Sequence, residues 1–455
     1  MKQALPFPNL SQPNFKSLRL FLPVTGLLIG TAFITFSGFS GREQPYRYPF
    51  NQVSQKDAVE SLEQELAFYQ QRIQQSPTDG LNQAAIAGTY LKLARATGES
   101  NWYLLAEQAA KRSLANLPFN NAGALLALAK VAEAQHDFDG SIKLTQQVLE
   151  TNPTDEEAQA LLVTAYLGKG QVTEAFTVAD RLVGQLPTLG TYALRALANV
   201  AQGEDAAALK DFKRALALEE PNQIGSSAWV RTLMGRFYAS RGESEQAEAL
   251  YREALRLVPD YALATIQLAQ LETRQGHYRA AANRYNKILI NQNAANTLDH
   301  AALQGLAQVK QLQGDEAAAA ELWQQAEMAF RLHQDLTTFG HRRELAQLLL
   351  ARGDQEDLAE ALDLMEAELE IRQDAETLNT YAWALMRSDR WSEAQTALQE
   401  AIALGTRDAV IAYRAGLVEQ QLGNQAKADR YFQQAMEIDP TFSQRDRQIW
   451  GLIEQ

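Results

Sequence analysis

Apolar residues are laid out along this chain in three patterns, and each predicts a different element. From Leu20 to Phe39 the run LFLPVTGLLIGTAFITFSGF holds no charged residue at all. As a helix it would be about 30 Å long, one hydrocarbon thickness. Between 57 and 75 the apolar residues Val59, Leu62, Leu66, Phe68, Tyr69 and Ile73 recur at mostly helical spacing, which predicts one amphipathic helix. Beyond about residue 80, helical patterns follow one another to residue 440, interrupted at regular intervals. The tail FSQRDRQIWGLIEQ closes with Phe442, Ile449, Trp450, Leu452 and Ile453 set among charges.

The interruptions carry the strongest signal. Pro118, Pro153, Pro187, Pro221 and Pro259 are 35, 34, 34 and 38 residues apart. Gly170, Gly203, Gly242, Gly276, Gly314, Gly353 and Gly423 form a second comb, mostly 33–39 residues apart, with two periods in the last gap. Two interleaved combs of one period predict one repeated unit: helix, turn, helix, break. In ASRGESEQAEALYREALRLVPDY, Gly242 supplies a left-handed turn, Ser244 is placed to cap the next helix, and Pro259 ends it.

This pattern resembles the tetratricopeptide repeat family. One unit reads Gly235, Tyr238, Gly242, Ala247, Tyr251, Ala254, Pro259; the next repeats Ala269, Gly276, Tyr278, Ala281, Tyr285; a later one gives Gly416, Gly423, Ala428, Phe432, Ala435, Pro440. The resemblance implies an all-α, right-handed α-solenoid of about ten helix-turn-helix units over 79–440, weakest at both ends and around 189–221. It follows that Ala247, Ala281, Ala319, Ala394 and Ala428 are close-contact points, with Tyr251, Tyr285, Trp323 and Phe432 filling the space between units. The first unit has a longer turn, two residues are added after Gly353, and the turn Ser388-Asp389-Arg390 has no glycine. An open array must cover its ends, so 57–78 and 441–455 are expected to be capping helices.

Composition sharpens the picture of the N-terminus. The chain has 455 residues and a net charge of −13, yet residues 1–40 carry Lys2, Lys16 and Arg19 and no acid. Basic residues just before an apolar run hold that end in the cytoplasm. The expected order is a basic cytoplasmic stretch 1–19, a transmembrane signal anchor 20–39, a polar linker 40–56, and repeats outside the cytoplasm. The alternatives are a signal peptide cleaved after Ser40, which leaves a secreted or periplasmic protein, and a buried helix of a soluble protein.

Little in the sequence offers chemistry. There is no cysteine, and the five histidines (136, 277, 300, 333 and 341) form no metal-binding pair on one helical face. Phosphate-loop, dinucleotide and nucleophile-elbow motifs are missing. The acidic body has no basic cluster suited to nucleic acid. No enzyme activity, cofactor or small-molecule substrate is therefore expected.

What the resemblance implies instead is binding of other proteins, because the first helix of each unit lines a concave groove in such arrays. Projected onto this chain, the candidates are Trp229, Arg236, Ile266, Gln270, Gln304, Gln308, Arg343, Gln347, Asn379, Trp383, Arg387 and Tyr413. Aromatic, amide and arginine side chains suit an extended peptide or a partner helix. A carboxylate clamp for chaperone tails is not expected, since Lys130 and Asn379 have no matching neighbours. The reading is a membrane-anchored, non-enzymatic adaptor in envelope assembly or transport. Its rivals are a hydrolase or transferase with a cryptic site and a purely structural spacer.

Overall fold

The computed structural model describes residues 55–221, 223–290, 298–334 and 341–452, all within a single compact unit. The predicted anchor 20–39, its basic flank 1–19 and the linker up to residue 54 lie outside the described residues. Among those described, no helix is long and apolar enough to cross a membrane.

Twenty-two helices form among the described residues, and they pack in sequence order. The first is α1 (Gln55–Gln75). There follow α2 (Gly80–Thr97), α3 (Asn101–Asn116), α4 (Ala122–Ala134), α5 (Phe138–Thr151), α6 (Glu156–Lys169), α7 (Val172–Gln185), α8 (Leu189–Ala201), α9 (Asp205–Leu216), α10 (Ile224–Ala239) and α11 (Ser244–Leu257). The second half has α12 (Ala262–Gln275), α13 (Tyr278–Ile290), α14 (Asp299–Leu312), α15 (Glu316–Gln334), α16 (Arg342–Arg352), α17 (Gln355–Leu369), α18 (Ala375–Arg387), α19 (Trp391–Ala403), α20 (Ala409–Gln421), α21 (Gln425–Ile438) and the short α22 (Gln444–Ile449). From α2 to α21 each even-numbered helix packs against the odd-numbered helix after it, giving ten pairs. Even-numbered first helices also touch in series, α2 to α14 and again α16 to α20.

The small residues explain why the pairs close so tightly. Ala247, Ala281, Ala394 and Ala428 are fully buried between helices. A Cβ added at Gly235, Gly305 or Gly416 would strike the ring of Tyr251, Tyr285 or Phe432. Each glycine on a first helix thus leaves room for the aromatic ring of its own or a neighbouring second helix. That is a packing constraint, since a methyl group there forces rotamer or backbone shifts.

Two local expectations are refined. Ser244 does not cap α11; it is the first helical residue, and Glu243 occupies the cap position without a side-chain hydrogen bond. Where the intra-unit turn lacks glycine, another residue takes the left-handed conformation: Asp389 at φ 57° and His136 at φ 60°. Aspartate tolerates that region better than most side chains.

The array does not stay open. Its second half lies on the intra-unit turns of its first half. The Thr406 hydroxyl donates to the Ala201 carbonyl at 2.7 Å, and Arg407 pairs with Asp205 at 2.7 Å, across 205 and 202 residues of sequence. The Arg372 guanidinium lies 5.7 Å from the Phe138 ring centre, and His136 meets His341 edge-on at 6.3 Å. Further along, a Cβ at Gly170 would strike the Gln373 carbonyl, one at Gly203 the Gly405 carbonyl, and one at Gly242 the Asp439 carboxylate. The contacts keep one register, an offset of about six 34-residue repeats. These glycines serve twice: they take φ of +75° to +79° and they let a second layer of chain sit against the turn. At Gly314 and Gly423, which share the conformation, nothing among the described residues lies within 4 Å of an added Cβ.

Candidate functional site

The twelve residues expected along the first helices divide by burial. Arg236 on α10 and Gln270 on α12 are exposed, while Trp229 and Gln304 are half-buried. Ile266, Arg343 and Trp383 are buried and present almost no surface. Arg343 pairs with Glu344 at 2.8 Å and with Asp374 and Glu376 at 3.5 Å, so it ties α16 to the start of α18. Reversing its charge would act on the fold before it acted on a partner. The Gln347 amide donates to Thr380 at 3.0 Å, and Arg387 reaches the Gly353 carbonyl at 3.5 Å, so both link neighbouring units. Lys130 is engaged by Glu157.

Gln308, Asn379, Trp383 and Tyr413 are drawn together by the C-terminal segment. After α21 the chain turns at Asp439, and α22 is set by a capping box between Ser443 and Asp446. Asp439 and Asp446 both grip Arg274 of α12, at 2.6 and 2.5 Å. Arg445 donates a hydrogen bond to the Arg274 carbonyl at 2.9 Å. The Gln308 amide donates to the Ile449 carbonyl at 2.9 Å, and Arg447 donates to the Tyr413 hydroxyl at 3.0 Å. Arg414 donates to the Trp450 carbonyl at 2.9 Å and to the Asn379 side chain, with its guanidinium 5.2 Å from the Trp383 ring centre. Gly451, at φ 59°, lies against that ring, where a Cβ would strike it.

Sequence reasoning missed Arg274, Arg414, Asp439 and Asp446. Arg274 meets its partners across 165 and 172 residues, and no local pattern marks such a pair. Arg414 left a trace, since it stands between the buried Ile411 and Ala415, where an apolar residue would suit the packing.

A second group of ionisable side chains is buried where the two halves meet. His136, from the α4–α5 turn, faces His341, whose ring centre is 4.7 Å from that of His300. Around them stand Glu344, Glu368, Arg342, Arg343 and Arg372. Glu368 is fully buried, its oxygens 3.8 Å from Arg372 and 3.9 Å from Arg342, with no hydrogen bond among the described residues. Burial, helped by the nearby Glu344 charge, pushes its carboxyl up to about 7 against the pull of the arginines. Glu344 is held well below the carboxylate range: burial alone would raise it, but Arg343 and Arg372 prevail. Burial and the Arg372 charge pull His136 down to about 4.

These shifts give opposite slopes of stability with pH. Glu368 has a folded value above its unfolded one, so its contribution is complete below about pH 4.5 and is lost as pH rises through 7. His136 has a depressed value, so its contribution is present above about pH 6.5 and is lost as pH falls toward 4. Glu368→Gln is therefore expected to raise the Tm at pH 8 and leave it unchanged near pH 4.5. His136→Asn, which keeps a residue tolerant of positive φ, should remove the loss on the acid side. Thermal melts across pH 4–8 check both; a Glu368→Gln gain equal at pH 5 and pH 8 contradicts the assignment.

Among the described residues no cluster of His, Asp and Glu is arranged to hold a metal ion. The His333 side chain lies outside the described residues.

Family models described as tetratricopeptide repeat match residues 132–200, 228–271 and 409–442. No curated protein matches the chain. Among solved structures, it is similar to a thermophilic TPR protein of Thermus thermophilus, at 22% identity and a TM-score of 0.37, over 42% of this chain and 98% of that one. It is also similar to the Cut9–Hcn1 hetero-tetramer of the APC/C, at 15% identity and 0.42, over 88% and 72% of the two chains. The human IFIT1 dimer with PPP-AAAA is matched at 16% identity and 0.45, over 84% and 86%.

Proposed function

We propose, from the premise that this chain is a tetratricopeptide repeat protein, that it is a non-enzymatic scaffold whose first helices bind segments of other proteins. The observation that carries this reading is the run of ten helix pairs whose first helices keep polar side chains clear of the core, Arg236, Gln270 and Gln304 among them. Packing accounts for the alanines and buried aromatics of each unit; it does not account for these. Side chains of this kind anchor peptides and partner helices.

A photocrosslinking residue placed at Arg236 or Gln270 should capture a reproducible protein partner in cells, identified by mass spectrometry. The same residue at Arg252, exposed on the second helix α11, serves as the control. Equal capture at all three positions would count against the first helices as the binding face.

The scaffold is tethered, in this reading, by residues 20–39 to a membrane, with the repeats on the far side from the cytoplasm, where it serves envelope assembly or transport. Support comes from the twenty-residue charge-free run and the basic Lys16 and Arg19 before it. A C-terminal tag should be cleaved by external protease once the outermost barrier is opened while the cytoplasm stays sealed. A tag protected until the cytoplasm is breached overturns the orientation.

A further inference from the structure

We infer that copies of this chain join head to tail: the intra-unit turns of one copy's second half receive the inter-unit loops of the next copy's first half. The contact is one the chain already makes within itself. It goes beyond the scaffold reading and does not depend on it.

Between the two halves, turns of one layer take loops of the other, and the clearest seat is Gly242, at φ 75°, with the Asp439 carboxylate and the Thr441 hydroxyl against it. The loop Asp439-Pro440-Thr441 has a definite form. The Phe442 N–H donates to the Asp439 carbonyl at 3.1 Å, and the Thr441 hydroxyl donates to the Asp439 side chain at 2.7 Å. Asn152-Pro153-Thr154, between α5 and α6, has the same form. The Asp155 N–H donates to the Asn152 carbonyl at 3.1 Å, and the Thr154 hydroxyl donates to the Asn152 side chain at 3.1 Å. Backbone angles at the opening residue agree as well: φ −136° and ψ 86° at Asn152, φ −129° and ψ 93° at Asp439. This loop lies at the opposite end of its helices from the turns that carry the second half, and Asn152, Pro153 and Thr154 are exposed. The seat is repeated too. Gly423 makes the same turn at φ 80°, and nothing among the described residues lies within 4 Å of a Cβ there.

Laying Asn152–Thr154 of one copy on Gly423 of another brings opposite charges together. Glu156 and Glu157 are exposed on the first turn of α6, while Lys427 and Arg430 are exposed near the start of α21. The same register sets the preceding loop, 117–121, over the turn Ser388-Asp389-Arg390. There the Phe119 ring, 78% exposed, meets Arg390, which Glu393 holds at 2.6 Å. An arginine is attracted to an aromatic face, and within the chain Arg372 and Phe138 already join the two halves in this way. Because a loop meets a turn and never its own kind, each added copy leaves one loop edge and one turn edge free. Growth of that sort is open-ended.

The chain has no cysteine, so engineered ones report contacts between copies of the full chain directly. Two differently tagged copies are expressed together, one with Thr151→Cys beside the loop and one with Gln425→Cys beside the turn, both at exposed positions. A flexible bismaleimide should join these two at least fivefold more than it joins two Thr151→Cys copies or two Gln425→Cys copies. Lys427→Glu with Arg430→Glu in the second copy should cut the yield at least fivefold, and Glu156→Lys with Glu157→Lys in the first should restore most of it. A chain carrying both cysteines should give a ladder of crosslinked species beyond the dimer. No loop-to-turn product, equal yields from same-edge pairs, or indifference to charge reversal overturns the inference, and so does a ladder that stops at two. If the charge variants fail to fold, the same-edge comparison and the ladder decide. Crosslinking at Arg236 tests the scaffold reading by itself, so the two can fail separately.

Discussion

Arg231→Met is expected to destabilise the protein by about 3–5 kcal/mol, measured by urea or thermal unfolding. Arg231 is completely buried on α10 between two carboxylates, Glu219 after α9 and Glu253 on α11. Its Nε donates to Glu253 at 3.1 Å, its two terminal nitrogens to Glu219, and Nη1 also to the Ser227 carbonyl at 3.2 Å. Burial pushes both carboxyls up, and Arg231 opposes that rise at each of them. Methionine fills much of the space but leaves two buried acids, which must take up protons or admit water. The deficit should therefore shrink as pH is lowered. Adding Glu219→Gln and Glu253→Gln to the same variant should recover much of the loss, because a buried ionic cluster removed whole costs far less than one broken open. If the single and triple variants are equally unstable, the cost lies in packing and the charge argument is wrong.

Gly203→Ala and Gly423→Ala form the second pair. Both glycines sit at the turn of a unit with positive φ, 76° and 80°. Each alanine should cost about 1–2 kcal/mol for the left-handed backbone alone. At Gly423 that is the whole expected effect, since nothing among the described residues lies within 4 Å of the new methyl. At Gly203 the methyl would strike the Gly405 carbonyl, and backbone cannot swing aside as a long side chain can. Forcing it in adds about 1–3 kcal/mol. Arg407–Asp205 and the Thr406 hydroxyl bond to Ala201 would be strained with it. Small-angle scattering should show expansion for Gly203→Ala and none for Gly423→Ala. Equal losses of Tm with unchanged scattering would mean that the contact between the two halves contributes nothing.

The contrast between these glycines shows what the sequence disclosed. The comb of glycines and prolines was legible because each unit obeys local rules: a left-handed turn needs Gly, and a helix stops before Pro. The alanines and aromatics were legible for the same reason, since their partners lie within one unit or the next. Gly203 and Gly423 look alike in sequence, yet one carries a second layer of chain and the other faces none of the described residues. Only the curvature accumulated over about six units decides which, and no short window contains it. The first-helix candidates were limited in the same way. Trp383 and Tyr413 were placed on the proper helices, but the segment lying across them arrives from the end of the chain. Arg343 looked like an anchor because charge on a helix face usually means solvent; here it is spent on Asp374 and Glu376.

The fixed offset between the two halves limits how this protein could have grown. In an open array a repeat can be duplicated anywhere, because each unit answers only to its neighbours. Here a unit gained or lost between Gly242 and His341 would put all of these contacts out of step: Gly170 would no longer face Gln373, nor Gly203 face Gly405. Like a coil whose windings touch, the chain tolerates a change of length at its ends and resists one in the middle. Natural variation in repeat number should therefore fall before the α4–α5 turn or after α21.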